Sequence, residues 1–152
     1  MSPNLDTLRD ILLDLVNDPD MKPSDMDGRP GKETKCNLAV NRICQAFGIF
    51  CFQGKLANDI VGMLKDELEG WSEVKASQAA AHAMTGGLAI AARKGLGHGH
   101  VAVIWPAALV MSGTFGKKVP WVANVGKDCG IMKMSMAFSA KKGEPSYWNY
   151  RG

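Results

Sequence analysis

The stretch that decides the fold runs from residue 88 to residue 105 and reads LAIAARKGLGHGHVAVIW. Two short apolar runs, 88–92 and 100–105, flank a glycine-rich segment at 94–99. Runs of this kind on either side of a glycine-rich segment are typical of two antiparallel strands joined by a loop. The sequence therefore predicts a β-hairpin, with His98 and His100 where the loop enters the second strand.

Four helices are predicted before this hairpin. Asn4 or Asp6 can cap the first helix, whose leucines follow helical spacing until Pro19 ends it. In the other three, apolar side chains recur three or four positions apart. These helices cover residues 36–47, 56–68 and 77–84.

The remaining segments are a loop and further strands. Residues 21–35 are rich in Pro, Asp, Gly, Ser and Lys, which predicts an irregular loop leading to Cys36. Strands are predicted at residues 121–125, 132–138 and 147–150. Helices followed by antiparallel strands indicate an α+β fold, with N-terminal helices packed on a C-terminal sheet. A length of 152 residues is usual for one domain, so 1–152 is interpreted as a single unit.

Charge and hydropathy exclude several classes of function. The net charge of +3 is spread along the chain, so no nucleic-acid partner is expected. The charge does predict a mild attraction to an anionic polymer. No stretch approaches the roughly 18 to 20 apolar residues that a membrane span needs. Residues 1–20 carry acids where a signal peptide would carry lysines. We therefore expect synthesis in the cytoplasm without a signal peptide.

The cysteine pattern indicates one reactive thiol among packed ones. Cys36, Cys44, Cys51 and Cys129 are too few for a disulfide scaffold and show no CxxC spacing. Cys36 opens a predicted helix, where the helix dipole and free amides favour the nucleophilic thiolate, and the charge of Lys35 would act in the same direction. Two alternatives stay open. Cys44 and Cys51 could form a disulfide, and Cys36 could be a packed helix cysteine without a catalytic role.

A nucleophilic thiol needs a base, and three histidines are present. His82 lies in an alanine-rich helix and is interpreted as structural. His98 and His100 are two positions apart at a strand start, so both can point to one face, one as base and the other either binding substrate or merely facing solvent. Asn124 is the candidate third member, because its amide oxygen can accept from an imidazole and hold its tautomer. As an alternative, Asn124 simply forms a turn.

The order of several short motifs carries a family resemblance. These motifs are Cys36-Asn37-Leu38-Ala39-Val40 opening a helix, Ala57-Asn58 leading another, Trp71, an alanine-rich helix, Ala89-Ile90-Ala91, and Gly99-His100-Val101-Ala102-Val103-Ile104. Over residues 30–105 the chain resembles the NlpC-type papain-like cysteine peptidases, and most of all the small peptidoglycan amidase effectors of type VI secretion. The glycine-histidine run downstream of a helix-opening cysteine is the most specific element.

The resemblance implies a papain-like fold with Cys36 as nucleophile and His100, rather than His98, as base. It also implies hydrolysis of a γ-D-glutamyl–diaminopimelate or related amide bond in the murein stem peptide, with no metal and no cofactor. Peptidoglycan would be the substrate, a cognate immunity protein the partner of a secreted effector, and the periplasm or cell wall the place of action after export or phage lysis. A monomer is expected. The chain departs from the family at Lys35-Cys36-Asn37-Leu38, where Asp-Cys-Ser-Gly is common, and the first helix has no counterpart.

Three rival interpretations stay open. The same cysteine and histidine can transfer an acyl group to an amine or deamidate a side chain. A zinc site could be built from Cys36, Cys44, His98 and His100, although their spacing matches no common zinc pattern. A wall-binding module without activity is the third alternative.

Overall fold

The computed structural model describes residues 4–26, 29–33 and 35–152. Its helices are α1 (Leu5–Asn17), α2 (Cys36–Ala46), α3 (Ala57–Lys65), α4 (Ala76–Met84) and α5 (Met134–Ala137). Its strands are β1 (Ser24–Met26), β2 (Arg29–Glu33), β3 (Trp71–Val74), β4 (Ala89–Arg93), β5 (His100–Ser112), β6 (Lys117–Asn124), β7 (Gly130–Lys133) and β8 (Ser146–Tyr150).

A six-stranded antiparallel sheet in the order β3-β8-β4-β5-β6-β7 forms the centre of the fold. Its middle pair is the predicted hairpin, in which Ile90 pairs with Val103 and Arg93 with His100. The α+β class predicted from the sequence is therefore confirmed. Because β4 and β5 are central strands, they bring the loop at 94–99 and His100 to one end of the sheet.

Helices cover both faces of this sheet. One apolar layer joins α1, α2 and α3 to one set of strand side chains, among them Ile90 and Val103. The other layer joins α4 and α5 to the alternate set, among them Ala91 and Ala102. Successive strand side chains point to opposite faces, so a strand covered on both sides needs apolar residues at every position. That requirement explains the apolar run 89–92 in β4, which ends at the partly exposed Arg93.

The first helix forms as the sequence predicts. The side chain of Asn4 accepts a hydrogen bond from the Thr7 amide at 2.8 Å and caps the N-terminus. The buried face consists of Leu8, Leu12, Leu15 and Val16. None of the helices in the described ranges is long and apolar enough to cross a membrane.

Several predicted segments differ from the structure. The strand expected at 100–105 continues to Ser112, and the strand expected at 121–125 begins at Lys117. The loop expected at 21–35 contains the short hairpin β1–β2, in which Ser24 pairs with Glu33; residues 27, 28 and 34 lie outside the described part. The third helix ends at Lys65 rather than 68, because Glu67 has a φ of 60° and cannot continue a right-handed helix. The strand expected at 132–138 ends at Lys133.

The chain also departs from the simple order of helices before strands. After β7 it turns into α5, where the amide of Phe138 donates to the carbonyl of Met134 at 2.9 Å and both side chains are buried. This spacing of four places both side chains on one helical face. The sequence analysis missed β3, which inserts a strand between α3 and α4. As a result α4 lies between two strands in the chain, and not in a purely N-terminal helical half.

We expect Leu12→Ala to destabilise the fold by about 2 to 5 kcal/mol, because it leaves a cavity beneath α1. Leu12 is 0 % exposed, whereas its neighbour Leu13 is 40 % exposed. The matched variant Leu13→Ala should change the free energy of unfolding by no more than about 0.5 kcal/mol. Urea denaturation followed by circular dichroism measures both. Equal effects of the two variants would show that α1 does not pack as described.

Candidate active site

The best-defined polar contact at this end of the sheet joins His100 and Asn124. The register that pairs Val103 with Ala123 puts Asn124 opposite Ala102, on the same strand face as His100. The imidazole Nε2 lies 2.7 Å from the amide Oδ1 of Asn124. Two residues predicted as a pair, 24 positions apart in the chain, are thus brought together by the pairing of β5 with β6.

The orientation of the Asn124 amide decides the tautomer of His100. Its Nδ2 donates to the carbonyl of Asp128 at 2.7 Å, so Oδ1 is the atom that faces the imidazole. An amide oxygen only accepts hydrogen bonds, so Nε2 of the ring must carry the proton. The neutral ring then has its lone pair on Nδ1, which is the nitrogen able to act as a base.

Aromatic and cationic groups surround the ring of His100. Its centroid lies 4.7 Å from that of Phe138, at an interplanar angle of 55°. The guanidinium of Arg93 lies 5.2 Å above Phe138 and donates to the carbonyl of Ser139 at 2.8 Å. Gly126 closes the other side, since a Cβ on that residue would lie 3.3 Å from Cε1 of the imidazole.

Burial lowers the pKa of His100. The hydrogen bond to Asn124 acts in the opposite direction, and the positive charge of Arg93 lowers the pKa further. The imidazole therefore sits in surroundings that favour its neutral form. A neutral ring with a free lone pair is the protonation state that a general base requires.

Cys36 lies at the first residue of α2, as predicted, and is buried. Burial raises the pKa of the Cys36 thiol, although the backbone amides of Val101, Asn37 and Cys36 itself favour the thiolate. The expectation of a thiolate made by the helix start is therefore wrong for this state, because loss of solvation outweighs the amides. Lys35 does not offset this loss, since its ammonium donates to the carbonyl of Asp20 at 2.8 Å.

His100 is the first residue of β5 and Cys36 lies near it, but no hydrogen bond joins the Cys36 thiol to the imidazole. Cys36 belongs to the apolar layer under α1, α2 and α3, and the backbone amide of Val101, the residue after His100, favours its thiolate. Phe138, on which the His100 ring packs, belongs to the opposite layer. A hydrogen bond thus links His100 directly to Asn124, whereas Cys36 is related to His100 only through the backbone amide of Val101.

The other predicted histidines occupy different surroundings. His98 is exposed in the loop 94–99 that precedes β5, close to the candidate site and available to a ligand. His82 pairs through Nε2 with the carbonyl of Tyr150 at 2.9 Å and packs on Gly87, where a Cβ would lie 2.4 Å from Nε2. His82 holds α4 to β8, which agrees with its structural interpretation.

The remaining thiols are free and resemble packed cysteines. Burial, together with the neighbouring Cys51, raises the pKa of Cys44 far above its usual range. The thiol of Cys129 donates to the carbonyl of Met21 at 3.5 Å and to that of Gly126 at 3.7 Å. Gly126 also lies beside the His100 ring, so Cys129 is the nearest alternative candidate for the nucleophile on this side of the site. It is therefore the best control for Cys36.

The rival zinc site is not assembled. Among residues 4–26, 29–33 and 35–152, no group of three or more His, Cys, Asp or Glu side chains is placed to hold a metal ion. Cys44 is in the core under α2, whereas His98 is exposed.

Sequence reasoning missed four residues around the site. Arg93 could have been found, because a hairpin of this length pairs the last residue of β4 with His100. Phe138 and Gly126 lie in segments whose approach to the ring depends on the pairing of β6 with β7 and on α5. Asn58 contacts the loop 94–99 from α3, at a separation of 37 residues, and no local pattern signals that contact.

Comparison with known proteins adds no family assignment. No protein-family model matches the chain, and no curated protein matches it.

We expect the pKa of His100 to lie below 6.5 and to fall further in Asn124→Ala, because that variant loses the hydrogen bond that favours the imidazolium. A depressed pKa means that the unfolded chain takes up a proton first as the pH falls, so His100 should lower stability below about pH 6.5. NMR titration of the His100 imidazole protons in the wild type and in Asn124→Ala measures the pKa. An unchanged His100 pKa in Asn124→Ala would contradict the described contact.

Proposed function

We propose that this protein is a cysteine amidase that hydrolyses an amide bond in the stem peptide of bacterial peptidoglycan, with a papain-like arrangement of Cys36, His100 and Asn124. The hydrogen bond from His100 to Asn124 is the observation that carries the proposal, because it leaves Nδ1 of His100 free as a base, and the next residue, Val101, has a backbone amide that favours the Cys36 thiolate. The resemblance over residues 30–105 supports the choice of substrate, with γ-D-glutamyl–diaminopimelate or a cross-link as the bond.

The protonation states set the first step of the mechanism. Both groups start neutral, since burial raises the pKa of the Cys36 thiol and lowers that of His100. His100 Nδ1 therefore takes the thiol proton as the sulfur attacks the amide carbonyl carbon. The resulting imidazolium is stabilised through Nε2–H by the amide oxygen of Asn124.

The second half of the reaction returns the site to its starting state. The imidazolium gives its proton to the departing amine, which leaves an acyl thioester on Cys36. His100 then takes a proton from water, whose oxygen attacks the thioester carbon; the C–S bond breaks, the acid is released, and the imidazolium returns its proton to the sulfur. In sum, one amide and one water become one carboxylic acid and one amine, and the thiol is restored.

The first turn of α2 supplies donors for the oxyanion. The first amides of a helix lack intrahelical partners, and those of Cys36 and Asn37 already favour negative charge on the sulfur. We assign the Cys36 amide as the first donor to the tetrahedral intermediate. Such donors matter most in a site that excludes water, which the burial of Cys36 supports.

Catalysis requires the thiol and Nδ1 to come within hydrogen-bond distance. Cys36 belongs to one apolar layer and the His100 ring packs on Phe138 of the other, so the proposal requires a movement at the start of β5 that brings the two side chains together before the thiol reacts. The substrate would enter from the exposed side of the loop 94–99, where His98 and the fully exposed Leu96 project. We assign His98 to substrate binding. The protein would act in the periplasm or cell wall after export. If it is a secreted effector, a cognate immunity protein would block its site.

Cys36→Ala should lose wall-degrading activity by at least about 10³-fold while remaining folded, because the nucleophile is gone. Cys129→Ala is the matched control and should retain activity. Purified peptidoglycan is incubated with each variant, and the mass of the released fragments identifies the bond cut. Digestion at the wild-type rate by Cys36→Ala, or loss of digestion in Cys129→Ala alone, would refute the assignment. Products joined to an added amine instead of water would identify an acyltransferase.

His100→Ala should abolish turnover and also slow alkylation of Cys36 by iodoacetamide near neutral pH, because the thiol loses its base. His98→Ala should leave alkylation unchanged and raise KM by up to about tenfold, as loss of one substrate hydrogen bond does. The measurement is the pH profile of alkylation at Cys36, read by peptide mapping, beside the kinetics of digestion. If the effects of the two variants are exchanged, His98 is the base.

A further inference from the structure

A single segment of the chain lies against a residue next to each proposed catalytic residue, namely the side chain of Asn37 after Cys36 and the backbone of Gly99 before His100. We infer that this segment, residues 55–58 at the start of α3, fixes the spacing of Cys36 and His100, with Asn58 as a positioning residue. The inference rests on the proposed function for its catalytic meaning. Its geometry stands on contacts made by two asparagine side chains, Asn58 and Asn37.

Asn58 binds both polar backbone groups of Gly95. Its Nδ2 donates to the Gly95 carbonyl at 2.9 Å, and its Oδ1 accepts from the Gly95 amide at 3.1 Å. The loop 94–99 contains three glycines and would otherwise have wide conformational freedom. A paired donor and acceptor from one rigid amide fixes both the position and the orientation of the loop.

The same amide also packs against the residue before His100. A Cβ on Gly99 would lie 2.3 Å from Oδ1 of Asn58 and 2.9 Å from the carbonyl oxygen of Arg93. Gly99 therefore lets its backbone pass between Asn58 and the end of β4. Asn58 thus determines where the chain enters β5, and the first residue of β5 is His100.

The nucleophile is tied to the same segment. The side chain of Asn37, the residue after Cys36, donates to the carbonyl of Lys55 at 3.0 Å. The segment 55–58 is itself held by α3, whose side chains Ile60, Val61 and Leu64 are fully buried. The segment 55–58 therefore holds both the start of α2, through Asn37, and the loop before β5, through Asn58.

This arrangement predicts a kinetic effect distinct from a loss of stability. A displacement of about 1 Å at a catalytic group can reduce turnover by about 10²-fold without a change in substrate contacts. We expect Asn58→Ala to lower kcat by about 10- to 100-fold and to change KM by less than about threefold. It should also reduce the alkylation rate of Cys36 near neutral pH, as His100→Ala does.

Asn58→Asp provides a conservative variant with a pH signature. It keeps an oxygen that accepts from the Gly95 amide but replaces the donor with a second carboxylate oxygen facing the Gly95 carbonyl. Protonation of that carboxyl restores a donor, so alkylation and turnover relative to wild type should recover as the pH falls toward 4 to 5, about the usual range of a carboxyl. Asn58→Ala should show no such recovery.

The experiment compares Asn58→Ala, Asn58→Asp, Asn37→Ala and the double alanine variant in the full chain. Gln78→Ala is the control, because it removes a similar side-chain bond, from the Lys75 amide at 2.8 Å, at the start of α4. Readouts are Cys36 alkylation against pH, kcat and KM on peptidoglycan, and urea stability. The two asparagine substitutions should be non-additive in kcat, because both act on one spacing.

The outcomes separate this inference from the proposed function. Lowered kcat and alkylation in Asn58→Ala, with acid recovery in Asn58→Asp and neither effect in Gln78→Ala, supports the positioning role. If the wild type digests peptidoglycan and the Asn58 variants match it in kcat and alkylation, the role is wrong. If the wild type digests nothing, the substrate is wrong, and the alkylation profiles of Asn58→Asp alone decide the positioning role. Use of Asn58→Asp also covers the case in which Asn58→Ala fails to fold.

Discussion

The hydrogen bond between His100 and Asn124 can form only because β5 and β6 pair in one register. A shift of one residue would turn Asn124 to the other face of the sheet and leave the imidazole without its acceptor. The register is fixed by the apolar side chains that both layers of helices bury, such as the pair Val103 and Ala123 in one layer and the pair Ile104 and Val122 in the other. The candidate chemistry thus depends on the packing of the sheet rather than on a local motif.

Burial is the second constraint, and it changes the form of the proposed reaction. Cys36 is buried and His100 is partly buried, so neither the thiolate nor the imidazolium is favoured at rest. A neutral pair must transfer its proton during the attack and not before it. The helix-start amides then act mainly on charge that develops in the transition state, where preorganised donors contribute most. The burial of the site and the role of α2 are in this way parts of one mechanism.

Sequence periodicity predicted those elements whose signal is local. The cap at Asn4 and the hairpin around the loop 94–99 follow from spacing and turn chemistry within a short window. The strand β3 was missed because its four residues give too short a pattern, and α5 because its helical spacing consists of one pair, Met134 and Phe138. The thiolate at Cys36 was predicted wrongly because burial is a tertiary property. The contact of Asn58 with Gly95 spans 37 residues and has no counterpart in local sequence.

The central claim is that Cys36 forms a covalent bond with the acyl part of a murein stem peptide. Mass spectrometry of the acid-quenched reaction, followed by peptide mapping, tests it directly. The account predicts a transient adduct on Cys36 whose mass equals the substrate minus the released amine, absent in His100→Ala. Product formation with no adduct on any cysteine, or with the adduct on Cys129, would contradict it.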